Sequence, residues 1–223
     1  MDVDDVLRAI IYRVRQGCTW RALSIFGPWQ TIYGHWRRWV KLGLMSQILN
    51  EIAKMAEGDA WSIDSSSIKV HKHANRCTKE TESIDNEQVG NSRGGRNTKV
   101  HALVDAKNRI LKIIISQGNR HDICFANELV ADVPDGIVVI GDKGYDSDEF
   151  RDDLERQNLG SCIPPRSRRS DPSEYNKDIY KQRHKVENAF QRLKEYRAIA
   201  TRYEKLAVTF KELLTLAAIL DWL

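Results

Sequence analysis

Residues 137–141, Ile-Val-Val-Ile-Gly, are apolar without interruption and end at Asp142. A strand with one face in water alternates apolar and polar residues; a run without that alternation belongs to a strand covered on both faces, which needs helices above and below its sheet. The chain supplies them. Ile123, Ala126, Leu129, Val130 and Val133 recur at helical spacing before the run, with Asp122 as a candidate cap. After it, Ser147 opens an acidic helix bearing Phe150 and Leu154, and Gly160 closes that helix before a short strand near Ile163. Upstream, Trp61, Ile63 and Ser65 alternate with Ser62, Asp64 and Ser66, which puts Asp64 on the face opposite Trp61 and Ile63. Lys99 to Val104 and Arg109 to Ser116 are β-rich runs separated by Asp105-Ala-Lys-Asn108, a hairpin signal. Three early strands in antiparallel order, then helix, strand, helix, strand and helix, predict an α/β fold.

Before Gly58 the period is helical instead. Leu7, Ile10, Ile11 and Val14 recur at three- and four-residue steps, and Gly17 supplies a stop. Thr19 can cap a short helix through Leu23. A third helix from Trp29 to Gly43 carries Ile32, Tyr33, Trp36 and Trp39 on its apolar side, leaving Arg37, Arg38 and Lys41 for solvent. Four of the six tryptophans lie in this stretch, which reads either as a helix-turn-helix-like DNA reader or as a small helical bundle whose Trp residues fill its core. Two regions are expected: a helical one at 1–57 and an α/β one at 58–223, the latter interrupted by a polar loop at 71–97 that is nearly devoid of large apolar side chains.

Charge is distributed unevenly. Residues 121–160 carry 11 acidic and 3 basic groups, a net −8, while the segments before and after are basic. A basic frame around an acidic segment suits a protein that grips a polyanion and holds divalent cations; a solvated acidic helix would give the same composition. The longest apolar run is five residues, Leu216 to Leu220, against the roughly 20 needed to span a bilayer. No basic, apolar leader opens the chain, so neither membrane insertion nor secretion is expected. Cys18, Cys77, Cys124 and Cys162 form no C-x-x-C pair, and reduced thiols of a cytosolic protein are expected.

The most informative pattern lies in a long helix expected from about Lys177. Tyr180, Arg183, Glu187 and Lys194 fall within an arc of about 60° on one helix face, beside an apolar arc of Val186, Ala189, Phe190 and Leu193. Such a helix can pack on a sheet while presenting one carboxylate between cationic groups, although a charged stripe on its own also describes a solvated face.

With these residues the chain resembles the IS5-group transposases within the IS4-like DDE transposases of bacterial insertion sequences. The resemblance rests on Trp61-Ser-Ile-Asp64-Ser-Ser-Ser-Ile-Lys-Val-His71, Arg93-Gly-Gly-Arg-Asn-Thr-Lys-Val-His-Ala-Leu-Val-Asp105, Gly118-Asn-Arg-His-Asp122, Gly141-Asp-Lys-Gly-Tyr-Asp-Ser147, and the Y-(2)-R-(3)-E-(6)-K spacing of Tyr180, Arg183, Glu187 and Lys194. Cys18-Thr-Trp-Arg-Ala-Leu23 and Phe26 to Tyr33 look like the group's helical leader. The resemblance implies an RNase H-like core, a mixed five-stranded sheet flanked by helices, in which Asp64, Asp142 and Glu187 are the catalytic and metal-binding triad. It also implies two Mg²⁺ ions, with Mn²⁺ able to substitute, double-stranded DNA (terminal inverted repeats and target) as partner, a homo-oligomer on DNA, and a cytoplasmic, nucleoid-associated bacterial protein. The chemistry is coherent, because Mg²⁺ prefers oxygen ligands and two ions about 3.5–4 Å apart can serve the attacking and leaving oxygens of an in-line displacement.

Tyr180, Arg183 and Lys194 are expected to hold DNA phosphates near the scissile bond, with Lys194 alternatively neutralising the carboxylates when no metal is bound. Arg37, Arg38, Lys41, Arg93, Arg96, Lys99, Arg166, Arg168 and Arg169 are further DNA contacts, or else solvated basic loops. Asp105, Asp122 and Asp146 are rival carboxylates, better explained as helix caps or turn formers. His71 and His73 make an H-x-H with no evident third metal ligand. The expected function is DNA cleavage and joining at insertion-sequence ends. The alternatives are an RNase H-like nuclease that joins nothing and, since members of the group usually carry a further stretch before the segment matching Val3 onward, a truncated, inactive end-binding regulator.

Overall fold

A computed structural model describes residues 1–75, 88–92, 94–167 and 169–223. Arg93, Arg168 and Cys77 lie outside the described residues, as does much of the expected polar loop. Helix α1 (Val3–Gln16) begins at Asp2, whose carboxylate accepts from the Val3 N–H at 2.6 Å, and stops at Gly17, which adopts a left-handed φ of 65°. A 3₁₀ turn (Trp20–Ile25), α2 (Trp29–Leu42) and α3 (Leu44–Ala53) follow. The sheet then opens with β1 (Ala60–Val70), β2 (Gly90–Ser92), β3 (Gly95–Val104) and β4 (Ile110–Gln117). After it come α4 (Ala126–Val130), β5 (Val138–Ile140), α5 (Asp148–Arg156), β6 (Gly160–Cys162), α6 (Lys177–Tyr180), α7 (His184–Glu195), α8 (Arg197–Ala200), β7 (Thr201–Arg202) and α9 (Ala207–Leu220).

The frame is the expected mixed five-stranded sheet, in spatial order β4-β3-β1-β5-β6, with β2 and β7 added at the margins. β1, β3 and β4 run antiparallel, and β5 and β6 add in parallel. The β3–β4 hairpin is closed by Asp105, whose Oδ1 accepts the amides of Lys107 (3.0 Å) and Arg109 (2.9 Å), so this rival carboxylate is a turn former. Within the expected polar loop, β2 pairs antiparallel with the start of β3, from Gly90 opposite Asn97 to Ser92 opposite Gly95.

Alternation along β1 divides the core. Trp61 and Ile63 pack with Leu129, Phe150 and Leu154 of α4 and α5, whereas Ile68 packs with Val186, Ala189 and Phe190 of α7 on the other face. The change of period near Gly58 is not a break in packing: Val6, Ile10, Leu23, Ile32 and Trp36 of the leader share one core with Ile68, Val100, Phe210 and Leu213. The buried stripe of α1 is Val6, Ala9, Ile10, Arg13 and Val14, one step from the expected one, because Arg13 turns inward to Glu204 (2.5 Å); Leu7 and Ile11 are half-buried.

Three features depart from the sequence reading. The helix expected from Lys177 is two helices, α6 and α7, joined by a 3₁₀ turn at Lys181–Arg183. Gly160 does not close α5, which ends at Arg156 with Gln157 as its cap residue, but begins β6. α3 and α9 were not anticipated, and they depend on each other: α3 starts at Gly43, which has no side chain to cap with, and Glu212 of α9 accepts from the Met45 N–H (3.0 Å) and the Ser46 hydroxyl (2.5 Å). Because Glu212 is buried, Glu212→Ala leaves an α3 amide without a partner and is expected to cost about 2–3 kcal/mol in urea unfolding; a loss below about 0.5 kcal/mol would mean that the contact contributes nothing net.

Candidate active site

Asp64 lies in β1 beyond the point where β5 ends, since the last residue pair between these strands is Ser62 with Ile140. Asp142 leaves the end of β5 two residues later and opens a 3₁₀ turn, Lys143–Tyr145, in which its Oδ1 accepts from the Gly144 N–H at 2.7 Å. Glu187 stands in the first turn of α7, across the face that carries Ile68. The three elements therefore converge on one margin of the sheet.

Arg183 links them. Its Nη1 donates to Asp64 Oδ2 at 2.8 Å and its Nη2 to Glu187 Oε1, so the guanidinium spans two members of the expected triad. Asp64 Oδ1 accepts from the Ser65 N–H at 2.7 Å. Burial dominates the pKa of Asp64 and pushes it up to about 6; the Ser65 amide and Arg183 pull it down, and the nearby charges of Asp142 and Asp122 push it further up. Burial also raises the Tyr180 phenol, against the pull of Arg183 and with Asp142 and Asp64 nearby, so the end of α6 belongs to the same site. Lys194 is exposed and donates to Ser66 Oγ at 2.6 Å, so the charge that compensates Asp64 and Glu187 is that of Arg183.

The basic residues expected on DNA fall into two sets. Arg37, Arg38, Lys41 and Arg96 are exposed and, among the described residues, meet no carboxylate within ion-pair reach. Lys99, Arg166 and Arg169 are occupied. Lys99 pairs with Asp122 at 3.0 Å and donates to the Arg120 carbonyl at 2.8 Å. Arg166 donates to the carbonyls of Lys143 and Gly144, and Arg169 pairs with Asp146 (2.7 Å) and Asp148. Asp146 also receives Arg151 (3.0 Å) and the Arg166 N–H (2.8 Å), and that backbone bond with these cations holds its carboxyl below the usual range despite burial. Asp146 is thus neither a cap nor a free metal ligand: it clamps the loop that carries Asp142. Asp122 is not a helix cap either; the cap position of its 3₁₀ turn is His121, and its carboxylate turns to Ser65 and Lys99. His71 and His73 stack on one another at 4.9 Å, and His71 stacks on Tyr203 at 4.4 Å.

Sequence reasoning missed two neighbours of the triad. Ser65 adjoins Asp64 and was read only as part of the alternation. Tyr145, from the Gly141-Asp-Lys-Gly-Tyr stretch, is fully buried with no hydrogen-bond partner for its hydroxyl among the described residues, and burial together with Asp122, Asp64 and Asp142 raises its pKa far above the ordinary tyrosine value.

Among the described residues no three His, Cys, Asp or Glu side chains stand close enough to hold a metal as arranged. The donor chemistry nevertheless fits a hard divalent ion. All three candidates are carboxylates, and a guanidinium supplies the cation that two of them need.

Comparison with known proteins follows the same line. Residues 57–222 match the sequence model of the transposase DDE domain, and residues 1–49 match that of a transposase family designated IS4/5. A protein of Brucella ovis assigned as the transposase for insertion sequence element IS6501 is 34% identical over 127 residues, 56% of this chain and 98% of that protein. The transposase for insertion sequence element IS1106 of Neisseria meningitidis serogroup B is 32% identical over 97 residues, 41% of this chain and 34% of that protein. Solved structures that align with it include a piggyBac transposase synaptic complex with hairpin DNA (15% identity, TM-score 0.38, 51% of this chain and 24% of that one). A pre-cleavage Mos1 transpososome aligns over 96% of this chain and 76% of that one, at 11% identity and a TM-score of 0.32.

The acidity of Asp64 sets a pH dependence. Its folded pKa, about 6, lies above the ordinary 3.8, so the folded chain holds a proton there that the unfolded chain has released, and native stability falls as pH rises through that window. Arg183 from the α7 side, Asp142 from the loop after β5 and Asp122 from the opposite face are the charges it meets. In chelator, Asp64→Asn is expected to melt above the native chain at pH 7, by an amount on the order of 2 kcal/mol, with the gap closing towards about pH 4. A gap independent of pH would contradict this assignment.

Proposed function

Because the chain belongs to the family of transposase DDE domains, we propose that it cleaves and joins DNA strands at the ends of an insertion sequence, with Asp64, Asp142 and Glu187 as its catalytic carboxylates. The observation that carries the reading is the convergence of these three residues, from β1, the end of β5 and α7, on one margin of a mixed sheet, with Arg183 between two of them.

The family implies a divalent metal, and Mg²⁺ is the ion we propose, with Mn²⁺ substituting. Asp64, Asp142 and Glu187 would hold it; when bound it would supply Lewis-acid activation of an attacking oxygen and stabilisation of a leaving one at phosphorus. The chain's own groups do the rest. The 3₁₀ turn after Asp142 and the Asp146 clamp keep that carboxylate at the sheet margin. Glu187 is exposed and, among the described residues, its carboxylate is held by Arg183, so it can turn inward once Arg183 finds another anion. A DNA phosphate is such an anion, and the planar fork of Arg183 suits two of its oxygens. Tyr180 and Lys194 flank that position and would orient the phosphodiester. Arg37, Arg38 and Lys41 on α2 and Arg96 on the β2–β3 hairpin would bind duplex DNA at a distance from the chemistry, and two element ends brought together would require more than one copy of the chain.

The experiment is strand cleavage and joining on labelled DNA carrying the flanking ends of the element, with Mg²⁺ or Mn²⁺. Native chain is expected to cut and join, and Asp142→Asn and Glu187→Gln are expected to lose both by at least about 10³-fold while retaining the native circular dichroism spectrum. Cleavage without joining would indicate a nuclease, and DNA binding with neither a regulator. Retained cleavage by Asp142→Asn would remove that residue from the catalytic set.

A further inference from the structure

The sheet is open where Asp64 stands. β1 is paired with β3 from Ser62 to Lys69 without a break. On its other side it meets β5 only at Ala60 to Ser62 and β7 only at Lys69 and Val70. Among the described residues, 63–68 therefore have no strand partner on that side, and Asp64 falls in the gap. Backbone paired on one side is freer to shift than backbone paired on both. A carboxylate that must meet a small, geometrically demanding ion tolerates little such shift, since displacements of about 0.5 Å already matter.

Besides its pairing with β3, this stretch is tied down from the far face by a side-chain contact. Ser65 Oγ donates to Asp122 Oδ1 at 2.6 Å, and the same oxygen receives Lys99 Nζ at 3.0 Å. Lys99 belongs to β3, and its second bond, to the Arg120 carbonyl, fastens the Asp122 segment to that strand. His101, fully buried on the same face, keeps its Nδ1 3.6 Å from the Asp122 carboxylate and its Nε2 2.8 Å from Ser116 Oγ. Ser65 is thus held twice. Its side chain is fixed by Asp122, and its backbone N–H donates to Asp64 Oδ1 at 2.7 Å.

We propose that Asp122 is a positioning residue of the catalytic centre: by gripping the Ser65 hydroxyl from the face opposite Glu187, it fixes the amide that orients the Asp64 carboxylate for its metal. Its Oδ1 is already taken by a hydroxyl and an ammonium group, so it acts through Ser65 and not as a ligand. The inference rests on the reading of Asp64 as a metal ligand. It gives a role to the Gly118-Asn-Arg-His-Asp122 stretch that the triad leaves without one.

The test is Mn²⁺ binding to the full chain without DNA, followed by calorimetry or by the electron paramagnetic resonance of free Mn²⁺, for the native chain, Ser65→Ala, Asp122→Ala and the double variant. Ser65→Ala removes no charge, yet it is expected to weaken Mn²⁺ binding about 3- to 10-fold, and Ser65→Thr, which keeps the hydroxyl, to restore it. In the Asp122→Ala background, Ser65→Ala is expected to change nothing further, because the link is already broken. Melting curves without metal establish that each variant is folded; should Asp122→Ala not fold, the Ser65→Ala and Ser65→Thr pair still decides. Native affinity in Ser65→Ala, or losses that add in the double variant, would overturn the proposal. A native chain that binds no Mn²⁺ would overturn it together with the metal reading of Asp64, and is recognised because the native titration itself is flat.

Discussion

An eleven-residue strand with a continuous antiparallel partner on one side and two short parallel partners on the other leaves a notch in its sheet, and in this chain the notch holds a carboxylate. β3 supplies the rigidity, since every residue of β1 from Ser62 to Lys69 is in register with it. β5 supplies the second carboxylate by ending early, so that Asp142 leaves the strand close to Asp64. The helices follow from the same strand: its odd-numbered apolar residues require α4 and α5, and Ile68 requires α7, which brings Glu187.

Gathering acidic groups at a half-buried margin has an electrostatic cost, and the surrounding cations are arranged against it. Arg183 spans Asp64 and Glu187, Lys99 meets Asp122, and Arg151 and Arg169 meet Asp146. These are not equivalent. The partners of Asp146 are largely buried and bind it through several bonds, as suits a permanent clamp on the Asp142 loop. Arg183 holds one exposed and one half-buried carboxylate, an arrangement that a competing cation on one side and a phosphate on the other can dissolve.

Much of this was legible in the sequence. The uninterrupted 137–141 run and the alternation around Asp64 placed two of the three proposed catalytic carboxylates on the elements that carry them, and the spaced signature placed the third on a helix. What periodicity could not give was partnership. Lys99, Arg166 and Arg169 look like free basic residues until the loops that bring Asp122, Asp146 and the Lys143 carbonyl to them are in place. Glu212 drew no notice in the sequence, and only the fold puts it at the start of α3. The break between α6 and α7 carries no Pro or Gly to announce it, and nothing in the local sequence explains it. Asp122 was legible as a motif residue but misread as a cap, since a carboxylate before an apolar run caps more often than it reaches across to a strand.

The central claim is that the margin formed by Asp64, Asp142 and Glu187 is a metal site kept in reserve by Arg183. The most direct test is a crystal structure of the chain soaked in Mn²⁺, with the ion located by its anomalous scattering. The account predicts a peak between the Asp64 and Asp142 carboxylates, with Arg183 moved away from Glu187. A peak elsewhere, or none while Arg183 still spans both carboxylates at full Mn²⁺ occupancy of other sites, would contradict it.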